Sequence, residues 1–232
     1  MKTPKSIRAS LRRLLQGEMK FYAPPKPESA GCSTCRTATA ASRRSAAVGA
    51  RCPSTAAART SRRTRSGHGW RGAVKFLGNV QRADGSWLPL WFGNEHAPDD
   101  ENPTYGTARV VRALTEVEGA STLVSGGVKF LLSIQNADGG WSGKRNGPAS
   151  NEETALAVEA LARAERCSAL QSPELRGAAR RGADWLMACV ESGAWCEPSP
   201  IGFYFAKLWY FERLYPLIFT VGALRAVDEL DN

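Results

Sequence analysis

Trp87, Trp141 and Trp195 follow one another at a constant interval of 54 residues. A fixed period of that length marks a chain assembled from repeated supersecondary units, each needing its neighbours to cover an apolar face. The first two tryptophans close near-identical heptads, Gln81-Arg-Ala-Asp-Gly-Ser-Trp87 and Gln135-Asn-Ala-Asp-Gly-Gly-Trp141. The third, Cys189-Val-Glu-Ser-Gly-Ala-Trp195, keeps only Gly193 and the indole. Asp84-Gly85 and Asp138-Gly139 are turn signals placed just after apolar helical stretches. Gln81 and Gln135 are expected to pin these turns together with the indoles. Each indole would stack on the amide, with its N–H reaching a neighbouring carbonyl.

Between the heptads the hydrophobic spacing is that of helices. Leu11, Leu14, Leu15 and Met19 share one side of a short amphipathic segment, 6–20, which Pro24, Pro25 and Pro27 end. Further helices are predicted over 70–80, 107–117, 123–134, 151–165, from Pro173 onward, and 203–227. Asn151 reads as an N-cap, with Glu152 and Glu153 favouring the first turn through the helix dipole. Strand signals are absent, so the fold class is all-α. Helix, heptad turn, loop and helix recur in that order.

Charge misleads until it is located. The formal net charge is +9, yet residues 32–66 alone hold eight Arg and no acidic residue. That stretch is almost entirely Cys, Ser, Thr, Ala, Arg, Gly and Pro, with Val48 its sole larger aliphatic residue. Such a composition cannot offset ordering entropy, and it is expected to be disordered. Its text also reads as a frameshift: with codons chosen among those permitted and the frame shifted by two nucleotides, it gives another Gln-x-x-Asp-Gly-Gly string one repeat upstream of Gln81. Three regions follow: 1–31, a helix and Pro-rich tail; 32–66, the Arg/Ala/Ser-rich segment; and 67–232, the repeat domain. A nucleic-acid partner is not expected, because the charge lies in that segment instead of on a folded face.

Other classes are set aside by composition. No apolar run approaches the about 20 residues of a membrane span. Met1 to Gln16 lacks the apolar core of a signal peptide. The six Cys have no regular spacing, and the Cys32-x-x-Cys35 pair has no second pair to complete a zinc site. A cytoplasmic, reducing compartment is the default, with no metal and no cofactor.

From Trp70 to its end the chain resembles the C-terminal part of squalene–hopene and related triterpene cyclases. The heptads look like that family's QW motifs: Gln81, Asp84, Gly85 and Trp87, then Gln135, Asp138, Gly139 and Trp141, with Trp195 worn. Tyr105-Gly106-Thr107, Glu153-Thr154-Ala155-Leu156-Ala157 and Gly202-Phe203-Tyr204-Phe205…Tyr215-Pro216-Leu217 add to the likeness. The resemblance implies a partial α/α toroid and monotopic membrane association. It also implies a squalene-like hydrocarbon, protonated by an Asp-x-Asp-Asp acid and cyclised between aromatic walls without a metal. By motif, Trp91 matches a cavity Trp and Tyr105 the Tyr near the proton donor. The aromatic run 203–215 matches a cavity-facing helix, giving Phe203, Tyr204, Tyr210 and Phe211 as further lining candidates. Read as a helix, it places Tyr204, Leu208, Phe211 and Tyr215 on one face.

No Asp-x-Asp-Asp occurs in the 232 residues. Asp99-Asp100-Glu101 lacks the pattern and is expected to be solvated. His68 and His96 have no ligand partners at metal spacing. No catalytic residue is therefore assigned, and the expectation is a C-terminal cyclase fragment, inactive alone. A non-catalytic helical-repeat module that binds lipid or a protein is the competing class.

Overall fold

A computed structural model describes residues 7–14, 68–203 and 208–231. The expectations for 32–66, for the Cys32/Cys35 pair and for Tyr204 lie outside these residues. The helices are α1 (residues 7–14), α2 (His68–Val80), α3 (Pro103–Leu114), α4 (Ser121–Ser133), α5 (Asn151–Glu165), α6 (Pro173–Ser192) and α7 (Leu214–Asp228). Single 3-10 turns cover Pro98–Asp100 and Ala194–Cys196. The architecture is helix pairs joined by the heptad turns, as an all-α, partial α/α toroid requires.

Alternate helices stack on one another. α3 packs on α5, and α5 on α7; α4 and α6 lie against these from outside and touch each other. α5 is the hub. Nearly every one of its residues is buried, and Ala155, Ala157, Ala160, Ala162 and Ala164 let its neighbours approach closely. A helix buried on all sides needs no one-sided hydrophobic stripe. Its acidic residues are then the notable ones. Glu159 is paired with Arg112 at 2.7 Å and Arg163 at 3.1 Å. Glu165 is paired with Arg176 at 2.9 Å and also accepts the Ser172 N–H.

The heptads form one lock, built twice. Trp87 Nε1 donates to the Leu77 carbonyl at 2.8 Å, and Trp141 Nε1 to Leu131 at 2.9 Å. Gln81 Nε2 donates to the Gly85 and Leu123 carbonyls, Gln135 Nε2 to Gly139 and Ala178. Each Gln thus closes its own turn and grips the next outer helix. Asp84 accepts from the Ser86 N–H and Asp138 from the Gly140 N–H. Gly85, Gly139 and Gly193 take φ of +87°, +94° and +87°, the left-handed region that glycine enters without strain. The third turn therefore retains the bend without the Gln grip, since Cys189 stands in place of the amide; Trp195 is half-buried against the core.

Two expectations are corrected. The single helix over 203–227 is instead an antiparallel hairpin, Pro200–Phe203 (β1) paired with Leu208–Phe211 (β2), followed by α7. Pro216 explains the late start. Inside a longer helix it would remove a hydrogen bond and clash with the preceding turn, whereas in the first turn of α7 its missing N–H costs nothing. The aromatic residues before it favour a pleated strand. The cap of α5 is Ser150, whose side chain accepts the Glu153 N–H; Asn151 instead donates from Nδ2 to the Ala194 carbonyl.

Candidate functional site

Local order around Tyr105 begins with Asn102 and Pro103. Asn102 caps α3 by accepting the Tyr105 N–H at 2.9 Å, and Pro103 occupies the first turn. Gly106 and Thr107 clamp the preceding heptad. A Cβ at Gly106 would stand 2.3 Å from the Trp87 carbonyl oxygen, and Thr107 Oγ1 accepts the Trp87 N–H at 2.9 Å. Two residues of Tyr-Gly-Thr are thus structural, and the third is held by them. Tyr105 is buried, and its ring meets Phe92 at 4.7 Å with the planes tilted by 36°. Trp91 is half-buried in the same loop.

The other lining candidates are scattered by the hairpin. Tyr210 is half-buried on β2, and its hydroxyl pKa is raised, first by burial and then by Tyr215 and Glu212. Phe211 is exposed at 64%. Phe203 ends β1 in register with Leu208. Leu208, Phe211 and Tyr215 do not share one helical face, because strand alternation replaces helical spacing over Leu208–Phe211. Of the candidates, Tyr105 meets Phe92, the sequence neighbour of Trp91.

Behind Tyr105 lies a polar cluster that the sequence reading did not single out. Thr154 repeats the role of Thr107, its Oγ1 accepting the Trp141 N–H at 2.9 Å. This sets Glu153 and Glu152 at the repeat positions of Gly106 and Tyr105. Glu153 Oε1 accepts from Asn94 Nδ2 at 3.1 Å and Asn102 Nδ2 at 2.9 Å. Glu152 Oε1 accepts the Ser199 N–H at 2.8 Å. Oε2 of each carboxyl is buried and makes no hydrogen bond. Unlike Glu159 and Glu165, neither is within ion-pair distance of an Arg or Lys among the described residues. Burial consequently raises both pKa values, Glu152 to about 7 with Glu153 adding to it, and Glu153 against the lowering effect of its two amide donors.

The cluster has a mechanical consequence. Glu153 holds Asn102, and Asn102 caps the turn that carries Tyr105. Asn94 continues the same bridge, its N–H donating to the Asp100 carbonyl and its side chain accepting the His96 N–H. Of the acidic loop, Asp99 is exposed, while Glu101 pairs with Arg82 at 2.9 Å. Among the described residues no group of three or more His, Cys, Asp or Glu could hold a metal ion. Two concavities of about 190 and 250 Å³ lie elsewhere, one beside Leu114 and Leu170, the other between Ile7, Met187 and Val227. Neither reaches Tyr105.

Residues 39–228 match the family described as the squalene-hopene cyclase C-terminal domain. The chain belongs to this family. The matched span begins inside the Arg-rich segment 32–66. A probable squalene–hopene cyclase of Sinorhizobium fredii is 28% identical over 163 residues, covering 62% of this chain and 23% of that protein. A type B diterpene cyclase of Mycobacterium tuberculosis is 32% identical over 125 residues, or 54% of this chain and 23% of the relative. A squalene–hopene cyclase of Bradyrhizobium diazoefficiens is 29% identical over 174 residues, 68% and 24% respectively. Among solved structures, the ent-copalyl diphosphate synthase from Streptomyces platensis aligns at a TM-score of 0.49 and 26% identity, over 69% of this chain and 28% of that one. The chain therefore spans about a quarter of the length of these cyclases.

Proposed function

We propose that this chain supplies part of the aromatic wall of a squalene–hopene-type terpenoid cyclase and has no turnover by itself. The observation that carries the reading is the Tyr105–Phe92 pair beside Trp91, fixed by the heptad clamp and by Asn102. A polyene offers no polar handle, so its binding comes from apolar burial at about 25 cal/mol per Å². The carbocations formed on ring closure need stabilisation that does not react with them. Aromatic faces provide it at about 2 kcal/mol or more per desolvated contact.

The acid must come from elsewhere. Protonating an alkene demands a group that releases its proton readily. Glu153 is held by the Asn94 and Asn102 amides and Glu152 by the Ser199 N–H, with the remaining oxygen of each buried away from the surface. They serve as scaffolding. The type B diterpene cyclase relative supports a second substrate length, a shorter polyene in the same kind of wall. Among the described residues no helix is long and apolar enough to cross a membrane. Peripheral association through the exposed apolar residues of the hairpin and α7 suits a hydrocarbon substrate. Incubation of the purified chain with squalene, followed by mass spectrometry, should yield no cyclised product. Cyclic products at the mass of squalene would overturn the inactivity reading.

A further inference from the structure

The first turn of α5 fastens two separate segments to itself. Glu153 Oε1 accepts from the side chains of Asn94 and Asn102, which bracket the loop that follows Trp91 and Phe92. Glu152 Oε1 accepts the Ser199 N–H, at the foot of β1. The two segments are also tied to each other, the Gly93 N–H donating to the Gly202 carbonyl at 3.0 Å. Loop 93–102 and the paired strands thus make one flap, and two adjacent carboxyls are its shared fastening.

Geometry decides which protonation state this fastening tolerates. Each carboxyl spends one oxygen on the flap, while its Oε2 is buried without a hydrogen bond. A neutral carboxyl so placed lacks one hydrogen-bond partner. An ionised one leaves a charge out of water with no counter-ion, which costs considerably more. Among the described residues the cations on neighbouring helices are engaged further along α5: Arg112 of α3 with Glu159, and Arg176 of α6 with Glu165. α7 runs parallel to α5, with Gly222 beside Glu159 and Glu229 paired with Arg166. That register brings Tyr215 to the level of Glu152 and leaves Arg213 exposed at the start of α7. The end of α6 and the turn after it carry Glu191 and Glu197, of the same sign as the pair. His96 is the charged group that the flap itself brings to Glu153.

We infer that Glu152 and Glu153 are a proton-dependent latch: protonated, they hold loop 93–102 and the β1–β2 hairpin against α5, and their ionisation releases the two together. Burial raises Glu153 against its two amide donors and His96, and raises Glu152 to about 7, with Glu153 adding to it against the Ser199 N–H. Because the closed form holds the protons, the latch is fastened at acidic pH and is lost as pH rises through that value. Release frees Asn102, the cap of α3, and slackens the contact of Phe92 with Tyr105. The device acts on the wall proposed above, yet neither it nor its test depends on a substrate.

Hydrogen exchange of the full chain between pH 5 and 9, corrected for the intrinsic pH dependence of amide exchange, reads the latch directly. Protection over 93–102, 199–203 and 208–211 should fall together while α4 and α6 keep theirs. The open fraction should grow by about tenfold per pH unit for each proton released. Glu152→Gln and Glu153→Gln each keep an acceptor and remove one titrating group, so each should lower that slope. The double variant should hold the flap closed at every pH. Flap protection that is flat with pH in the wild-type chain overturns the proposal. So does a loss shared equally by α4 and α6, which marks global destabilisation. A slope unchanged in both single variants overturns it as well, and assigns the proton to His96.

Discussion

At the scale of single residues, Glu152 and Glu153 set the most testable property of this chain. Both lie in the first turn of α5 with one oxygen hydrogen-bonded and the other unpartnered. For a carboxyl whose folded pKa is raised, the neutral form is favoured in the native state. Its contribution to stability is fully present below the unfolded value of 4.5 and is lost as pH rises through the folded value of about 7. The denaturation midpoint of the chain should therefore fall between those two pH values. Glu152→Gln should flatten that slope, because an amide keeps the acceptor for the Ser199 N–H and cannot ionise. Urea unfolding of both proteins across this window is the measurement; parallel curves would mean that Glu152 ionises freely in the native state. Acidic residues at a helix start usually face water and the dipole. Nothing in the text Asn-Glu-Glu-Thr distinguishes that case from a carboxyl enclosed by Asn94, Asn102 and Ser199, which come from distant loops.

At the scale of elements, the heptad lock divides structural strength unevenly among the three turns. Trp141→Ala removes a fully buried indole and should cost about 3–5 kcal/mol. Gln135→Ala leaves the Gly139 and Ala178 carbonyls without their side-chain donor, at about 1–3 kcal/mol. Trp195→Ala, at a turn with no Gln grip and a partly exposed ring, should cost less than the Trp141 figure because less apolar area is lost. Equilibrium unfolding of the three variants ranks them; equal losses at Trp141 and Trp195 would contradict the account of the worn repeat. These locks were legible in the sequence, since period, turn glycine and indole all point to one geometry. The hairpin was not. Tyr204, Leu208, Phe211 and Tyr215 satisfy helical spacing as well as strand composition, and only Pro216 discriminates, by forbidding a helix that continues back through it. Likewise Ser150 and Asn151 are both good caps, and the choice falls to Ser150 because Asn151 is drawn to the Ala194 carbonyl. The site was less so: Trp91 and Tyr105 were assigned by motif, Tyr105 lying two residues before the Thr107 that accepts the Trp87 N–H, while the paired strands Pro200–Phe203 and Leu208–Phe211 stand where one helix was expected.

At the scale of the whole molecule, several large apolar residues remain open to water. Leu208 at 57% and Phe211 at 64% are exposed on β2, and Ile218 at 54% on α7. Leu214, at 36%, lies between them in sequence. Exposed apolar patches of this kind mark contact with another apolar surface. Phe76, on α2, is exposed at 62%. The bulky exposed side chains of the hairpin and α7 suit a lipid interface. We expect the chain to co-sediment with phosphatidylcholine vesicles, driven by burial of these side chains and insensitive to salt, because the attraction does not depend on charge. The double variant Phe211→Asp/Ile218→Asp should reduce the bound fraction several-fold, while Phe76→Asp on α2 should leave it unchanged. Sedimentation at low and high ionic strength reads both. Binding that salt abolishes would place the attraction on the Arg-rich segment 32–66 instead, and equal loss in the two variants would mean that the patches do not act separately.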